Sequence, residues 1–310
     1  IAVSAALLYF VLRKVDLGDL WLRLKSGEAA WLVLAVAVSL FQTFLAAMRW
    51  RKVTTACDAP LTLWQTMRFN MIGTFFNQVL PSSIGGDAMR LWLVKNTGVG
   101  WRHATYSVFV DRAIGLIALA LLVVASLPWS YRLITDSQGR IALVLIDGLA
   151  LAAGSGLLLL GLIPWPFLKR WWLTHHPYNC SAIANRILGD RRNGPQVMTL
   201  SIVIHMLTPV VGWCVAQSIQ APITPSQILL LIPPVVLITM LPVAIAGWGV
   251  RETAMMVSFG YAQLPQTDGV NISLLYGAVT FFVGLIGGAV WIASAEKKAR
   301  TIHEPALGEP

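Results

Sequence analysis

The segment 80–90, LPSSIGGDAMR, occurs a second time in the chain as 241–251, LPVAIAGWGVR. Both copies fit the pattern L-P-x-x-I-x-G-x-x-x-R without a gap, and each interrupts an apolar stretch with proline, then glycine, then a charge. In a membrane protein, paired interruptions in the two halves of the chain are the best sequence pointer to a binding site. The repeat therefore favours a transporter-like membrane protein.

The composition around the repeat is that of an integral membrane protein. Of 310 residues, 56% are hydrophobic and only 12% are charged, and the mean hydropathy is +0.69. A soluble domain carries about 25% charged residues. The net charge of +9 could suit nucleic acid, but most Lys and Arg flank apolar runs, where they set topology and contact anionic headgroups. We expect one membrane domain over 1–310, without a nucleic-acid partner or a large soluble catalytic domain.

The apolar runs predict an all-α integral membrane protein, a polytopic helical bundle. A helix needs about 20 apolar residues to cross the hydrocarbon layer. The predicted helices are 2–12 (the end of a first helix), 29–48, 63–80, 87–94, 104–127, 141–163, 197–220, 227–241, 250–261 and 270–294. The helices 63–80 and 227–241 break at Pro81 and Pro242, and a shorter helix follows each break.

Loop charges predict the orientation of these helices. Lys and Arg are concentrated in 49–60, in 164–195 and at the C-terminal end, whereas the loops 221–224 and 265–268 carry none. The first three are expected in the cytoplasm and the last two outside. One segment, 13–28, conflicts with this scheme, because it is expected outside and yet carries Lys and Arg.

This orientation makes the two broken segments, centred near 63–95 and 227–261, inverted repeats. Each is predicted to be a re-entrant helical hairpin that enters and leaves the membrane on its own face. Ser83 and Ala246 are expected deep in the hydrocarbon layer. Irregular backbone at that depth needs a lining of protein or water, so both tips should face an internal cavity.

The residues at the two tips suit an anion. Proline interrupts helix hydrogen bonding and glycine lets the backbone approach a ligand. The following helix offers unpaired N–H groups and a positive dipole end, and an arginine can hold a phosphate through two hydrogen bonds. The alternative is that proline and glycine only form the hairpins and each arginine lies at an interface. The predicted binding residues at the tips are Pro81, Ser82, Ser83, Gly85, Gly86, Arg90, Pro242, Gly247, Trp248 and Arg251.

Three further charges belong to the predicted binding site. Asp111 and Arg112 lie about two turns into the helix 104–127. Arg112 could join the anion site while Asp111 holds a neighbouring arginine, or the two could form a structural ion pair near the interface. Glu252 is a candidate partner for Arg90 or Arg112 across the cavity. Trp248 could gate a lipid headgroup or merely pack the break.

Signals for catalysis or metal binding are absent from the sequence. There is no H-E-x-x-H, no Walker loop and no nucleophile elbow, and the three cysteines lack C-x-x-C spacing. His205 is interpreted as a packing residue, since it has no metal-spaced partner. Asp87 is interpreted as the cap of the helix after Gly86. We expect no cofactor and no enzymatic activity, so transport would run on a gradient, on the membrane potential or downhill.

At these motifs the chain resembles the lysylphosphatidylglycerol synthase transmembrane-domain family. The resemblance rests on Phe76-x-x-x-Leu80-Pro81-x-x-x-Gly85-Gly86-Asp87-x-x-Arg90, on Asp111-Arg112-x-x-Gly115 and on Gly247-x-Gly249-x-Arg251-Glu252. The family contains the flippase half of the multiple peptide resistance factor and many stand-alone membrane proteins. The resemblance covers nearly the whole chain. It implies an inverted-repeat helical fold with re-entrant hairpins and a lipid-flipping role, although family members often have Glu-Arg where this chain has Asp111-Arg112.

The leading hypothesis is a flippase-like transporter of an anionic or phosphate-bearing lipid across the bacterial inner membrane. Candidate lipids are an aminoacylated phospholipid, a polyprenyl phosphate or a glycolipid. Two alternatives are a membrane module that holds a lipid or anchors an enzyme without transporting, and an intramembrane transferase. A homo-oligomer and a lipid-modifying enzyme are the protein partners to consider.

Overall fold

Apolar runs separated by short polar connections fold into a helical bundle. A computed structural model describes residues 9, 13, 17–80, 84–162, 172–240 and 247–303, without the side chains of 17, 172–174 and 295–303. All regular structure in these ranges is α-helical. The helices are α1 (Leu17–Ser26), α2 (Ala29–Ala56), α3 (Leu63–Val79), α4 (Gly85–Lys95), α5 (Trp101–Leu133), α6 (Ser137–Leu162), α7 (Trp172–Gly189), α8 (Asn193–Ser218), α9 (Pro225–Thr239), α10 (Val250–Tyr261) and α11 (Gln266–His303).

Several of these helices are long and apolar enough to span a membrane. Within the described ranges they number five: α2, α5, α6, α8 and the part Gln266–Ser294 of α11. Helix α9 is also apolar, but it has only 15 residues. The chain is therefore a multi-pass helical membrane protein, as its composition predicted. The predicted first helix, 2–12, lies outside the described residues.

Two segments that were predicted as loops are helical instead. Helix α2 continues to Ala56, so Arg49 lies on the helix and is buried. The stretch 164–195 contains α7, which packs on α5 through a hydrogen bond between Tyr106 and His176. A reading based on apolar runs misses both features, because charged or polar residues end the run before the helix ends.

Contacts at one end of the bundle show which loops adjoin the segment that conflicts with the predicted orientation. Arg23 on α1 forms an ion pair of 3.0 Å with the buried carboxylate of Asp268 at the start of α11. Gln220, after α8, donates to the Ser26 carbonyl. Helix α1 thus lies beside the two loops that were expected outside, and one of its positive charges is neutralised there, while the orientation stays a prediction.

The interior is built around α5, which packs against α2, α4, α6, α7, α8 and α9. Helix α2 runs along α8, and α3 runs along α11. The largest fully buried side chains include Trp50, Phe69 and Phe259. These contacts hold α4, which carries Arg90, against the central helix.

The two halves of the repeat form two packed helix pairs, α3 with α4 and α9 with α10. Their similarity extends beyond the repeated segment, because α3 and α9 both begin with a capping box, from Thr62 to Gln65 and from Thr224 to Gln227. In such a box the first and last residues satisfy each other's backbone N–H groups. The breaks themselves, 81–83 and 241–246, lie outside the described residues. The depth of the tips and their entry from opposite faces stay predictions.

Glycines set the geometry on both sides of the breaks. A β-carbon on Gly86 would overlap the carbonyl oxygen of Gly73, so α3 and α4 approach this closely only because Gly86 lacks a side chain. Gly247 and Gly249 have φ of 79° and 85°, in the region that favours glycine. Gly249 caps α10 and turns the chain into the helix that carries Arg251.

Candidate functional site

Arg90 lies in the interior, one turn into α4, and its side chain reaches α2 and α5. It is 7% exposed. Its Nη2 donates to Asp111 Oδ2 at 3.0 Å and its Nη1 donates to Asp87 Oδ1 at 3.2 Å. The guanidinium carbon stacks 3.9 Å from the centroid of the Trp50 ring, a favourable cation–π arrangement. Arg90 is therefore fixed between two carboxylates and an aromatic ring.

Asp111 binds a second arginine on its other oxygen. Arg49 Nε donates to Asp111 Oδ1 at 2.9 Å, and Arg49 Nη1 donates to Ser201 Oγ at 3.3 Å. Both members of this pair are buried. Of the two interpretations of Asp111, holding a neighbouring arginine is the one the structure supports, and it holds two.

Arg112 faces the other carboxylate of this group. Its Nε donates to Asp87 Oδ2 at 2.7 Å and its Nη2 donates to Asp87 Oδ1 at 2.9 Å, a two-point contact. The capping role assigned to Asp87 is wrong. Ile84 is the cap residue of α4, and Asp87 lies in the first turn with its oxygens directed at Arg90 and Arg112. The Arg112 side chain is 48% exposed, so this end of the group is open.

Together these side chains form a continuous chain of charges, Arg49–Asp111–Arg90–Asp87–Arg112, which we call the charge ladder. Three guanidinium groups face two carboxylates, which leaves one positive charge unbalanced. The Nε of Arg90 is also buried without a hydrogen-bond partner among the described residues. An unbalanced charge inside a membrane protein is costly and usually functional, so the ladder is suited to an anion.

Arg251, the repeat partner of Arg90, has different surroundings. Its Nη2 donates to Glu252 Oε1 at 2.8 Å, and its Nε donates to Ser273 Oγ at 3.0 Å. Glu252 is fully buried and also accepts from the Gly249 N–H at 2.6 Å. The expected pairing of Glu252 with Arg90 or Arg112 is wrong, because its carboxylate accepts from Arg251, from the Gly249 N–H and from Ser273 Oγ on α11. In this second cluster the charges balance.

Trp248 stacks on Arg251. The guanidinium carbon lies 5.1 Å from the Trp248 ring and 5.5 Å from the Tyr276 ring. Trp248 therefore packs beside the charge at the second tip, in the way Trp50 packs on Arg90. A gating role for Trp248 stays a prediction.

A comparison with known families agrees with the geometry. A family model described as the lysylphosphatidylglycerol synthase TM region matches residues 1–288. The chain belongs to this family. No individual curated protein matches the sequence. The family match confirms the resemblance seen in the motifs and places the charge ladder in a lipid-related membrane domain.

The predicted site residues of this lysylphosphatidylglycerol synthase family member form two groups of direct contacts. The structure brings together Arg90, Asp111 and Arg112, whereas Arg251 and Glu252 form the second cluster. No hydrogen bond or ion pair between described residues joins the two groups. Pro81, Ser82, Ser83 and Pro242 lie outside the described residues. Gly85 and Gly86 begin α4, and Gly247 precedes α10.

The predicted N–H groups at the helix starts already have partners at two positions. The Gly86 N–H donates to Asn77 Oδ1 at 2.8 Å, and the Gly249 N–H donates to Glu252. These groups orient the polypeptide at each break. These two N–H groups are therefore not free to bind an anion.

The sequence interpretation missed Arg49 as a member of the site. It was counted with Arg51 and Lys52 as a loop charge, although the apolar run 29–48 leads directly into it. Trp50 and Val53 are buried one and four positions later, which is the spacing of a continuing helix face. This spacing of apolar residues was the sequence signal that the helix continues through Arg49.

Proposed function

We propose that this protein is a flippase-like transporter that binds the phosphate of a lipid at the charge ladder and moves that lipid across the bacterial inner membrane. The observation that carries the proposal is the unbalanced positive charge of the ladder within a lipid-related membrane domain. A phosphate or another anionic headgroup would balance it. The candidate lipids are an aminoacylated phospholipid, a polyprenyl phosphate and a glycolipid that carries a phosphate.

Asp87 can exchange with a lipid phosphate as the partner of Arg112. Its carboxylate takes the two-point contact on Arg112 that a phosphate would take. A phosphate arriving at the half-exposed Arg112 can displace Asp87, and Asp87 can return as the lipid leaves. Binding is then an exchange of one anion for another, which keeps the lipid from being held too tightly for release.

The buried end of the ladder would keep the exchange site in place. Arg90 and Arg49 are both fixed on Asp111, and Arg90 also stacks on Trp50. Among the five ladder residues, only Arg112 has a side chain that is about half exposed. We therefore assign primary contact with the lipid phosphate to Arg112, with Arg90 as the second donor.

The two broken helix pairs would supply the path. In the proposed arrangement they are inverted re-entrant hairpins whose tips line a polar cavity, while the lipid tails stay in the bilayer. Moving a bare phosphate through hydrocarbon is prohibitive, because a charge without partners costs far more there than in water. Arginines along the cavity lower that cost.

A flipping assay in proteoliposomes tests the proposal. Lipids with a fluorescent headgroup and a phosphate are quenched from one side, and the rate of their movement is compared with that in protein-free liposomes. Wild type should move at least one of the three lipid classes faster. Arg112→Ala should slow it about tenfold or more, because a hydrogen bond to a charged group contributes about 1.5–3 kcal/mol and 1.4 kcal/mol is tenfold.

Matched variants make the result specific. Arg112→Lys should recover part of the rate, since it keeps the charge and loses the planar fork. Arg102→Ala removes an exposed arginine from the same helix and should leave the rate unchanged. If wild type moves no lipid faster than empty liposomes, with several headgroups and with an imposed potential or proton gradient, the protein is a lipid-holding or enzyme-anchoring module.

A further inference from the structure

Asp147 is a buried acidic residue in the middle of α6. It is 2% exposed, and neither carboxylate oxygen has a hydrogen-bond partner among the residues that the structure describes. The buried residues of α6 form one stripe along the helix, Gly139, Leu143, Asp147 and Gly154. The opposite side carries highly exposed leucines such as Leu149, which is 72% exposed. The carboxyl group therefore lies on the single face of α6 that packs into the protein.

The surroundings of Asp147 are apolar. Its helix neighbours Ile146 and Ala150 pack against a cluster formed by Leu119 and Val123 of α5 and Leu237 of α9. Helix α9 contains no ionisable side chain, and neither does 113–130 of α5. The segment 241–246 that follows α9 has the sequence LPVAIA, which is also free of ionisable groups.

The described ionisable residues of α6 and α7 are engaged elsewhere or lie on parts of these helices several turns from Asp147. On α6 itself, Arg140 donates to the Ile134 carbonyl at 2.7 Å and stacks on Tyr131, two turns before Asp147. Helix α7 contacts α6 through hydrogen bonds to the carbonyls of Leu157 and Leu158, about 15 Å further along the helix. The ionisable residues of α7 with described side chains are His175, His176, Tyr178, Cys180 and Arg186. Tyr261, at the end of α10, touches α6 at Gly139.

An ionised carboxylate without a partner is strongly disfavoured in such a place, so burial favours the neutral, protonated form of Asp147. A bound metal ion does not fit equally well, because hard cations need several oxygen ligands. No group of three metal-binding side chains occurs in the part of the chain that the structure describes.

We propose that Asp147 is a proton-binding site that couples lipid movement to a proton gradient; this inference rests on the proposed function. The acid can lose its proton to water only when the apolar wall formed by α9 moves away. Helix α9 leads directly into the second break, so a movement of that helix pair would expose Asp147. Release of one proton to one side of the membrane leaves Asp147 as a carboxylate, and uptake of a proton from the other side restores the acid. Helix α9 closes over Asp147 again only when the acid is neutral.

The coupling is tested in the proteoliposome assay with an imposed pH gradient. Wild type should move lipid several-fold faster with the gradient than without it. Asp147→Asn, a neutral isostere of the protonated acid, should still move lipid downhill at a rate that no longer responds to the gradient. Glu28→Gln, which removes an exposed carboxylate, should respond as wild type does. A gradient response of Asp147→Asn equal to that of wild type would overturn the inference.

Infrared spectroscopy tests the proton site independently of transport. Wild type at neutral pH should show a protonated carboxyl band that shifts in heavy water. The band should be lost in Asp147→Asn and in Asp147→Leu, and kept in Glu28→Gln. If the wild type moves no lipid but the band behaves in this way, the proposed function fails and the proton site stands. A wild-type spectrum without a band that depends on Asp147 would refute the site itself.

Discussion

Arg90 and Arg251 occupy the same position in the two halves of the repeat, yet they sit in different electrostatic surroundings. Both stack on a tryptophan and both pair with a carboxylate. Arg90 belongs to a ladder in which positive charge is in excess, whereas Arg251 is balanced by Glu252. The comparison shows that the repeat specifies helix breaks and arginine positions. Residues outside the repeat, above all Arg49 and Arg112, decide which half carries the excess charge.

The largest expected difference between the two clusters is in stability. Asp111→Asn removes the carboxylate that holds two buried arginines and should lower the free energy of unfolding by about 3–5 kcal/mol. Glu252→Gln removes the charge partner of one arginine, but the amide can still accept the Gly249 N–H, so a loss of about 1–3 kcal/mol is expected. Unfolding in mixed micelles with increasing denaturing detergent, followed by tryptophan fluorescence, measures both. Equal losses would show that the two clusters contribute equally to the free energy of unfolding.

Because Arg90 is buried, a substitution of Arg90 affects folding as well as transport. Arg90→Ala would remove one buried ion-pair partner from both Asp87 and Asp111, so a loss of transport in this variant would include a loss of stability. Arg112 is the cleaner probe, because its side chain is half exposed and its removal leaves the Asp111 pairs intact.

A smaller effect is expected from Asp87→Asn. Asn cannot neutralise Arg112 and Arg90, so an incoming phosphate no longer competes with an internal carboxylate. Affinity for a phosphate-bearing lipid should rise about tenfold, for a gain of about 1.4 kcal/mol, and lipid release should slow. Lipid titration by native mass spectrometry measures the affinity. Glu252→Gln serves as the comparison, and it should leave the affinity unchanged; an equal gain there would remove the distinction between the halves.

Much of the architecture could be predicted from the sequence, because apolar length and proline breaks act locally. The long apolar helices and the two broken helix pairs follow from such signals. The pairing of charges could not be predicted in the same way. Asp87 was assigned to a cap from its position before a helix, and Glu252 to a partner in the other half. The actual partners depend on which helix faces pack together, and local sequence patterns do not show which faces those are.

Asp147 is a second case in which local sequence patterns leave the role of a charged residue undecided. An aspartate within the apolar run 141–163 is visible in the sequence, but its meaning depends on the direction it faces. If Asp147 faced lipid or water, it would be only a polar interruption of an apolar helix. On the packed stripe of α6, without a partner, it becomes a candidate proton site.

The most direct test of the central claim is the amount of phosphate-bearing lipid that copurifies with the protein. Mass spectrometry would compare wild type with Arg112→Ala and Arg251→Ala after purification in the same mild detergent. If the excess charge of the ladder binds the lipid phosphate, wild type and Arg251→Ala retain a phosphate-bearing lipid and Arg112→Ala loses most of it. Equal retention by wild type and Arg112→Ala, with the lipid lost only from Arg251→Ala, would contradict the account and move the binding site to the second cluster.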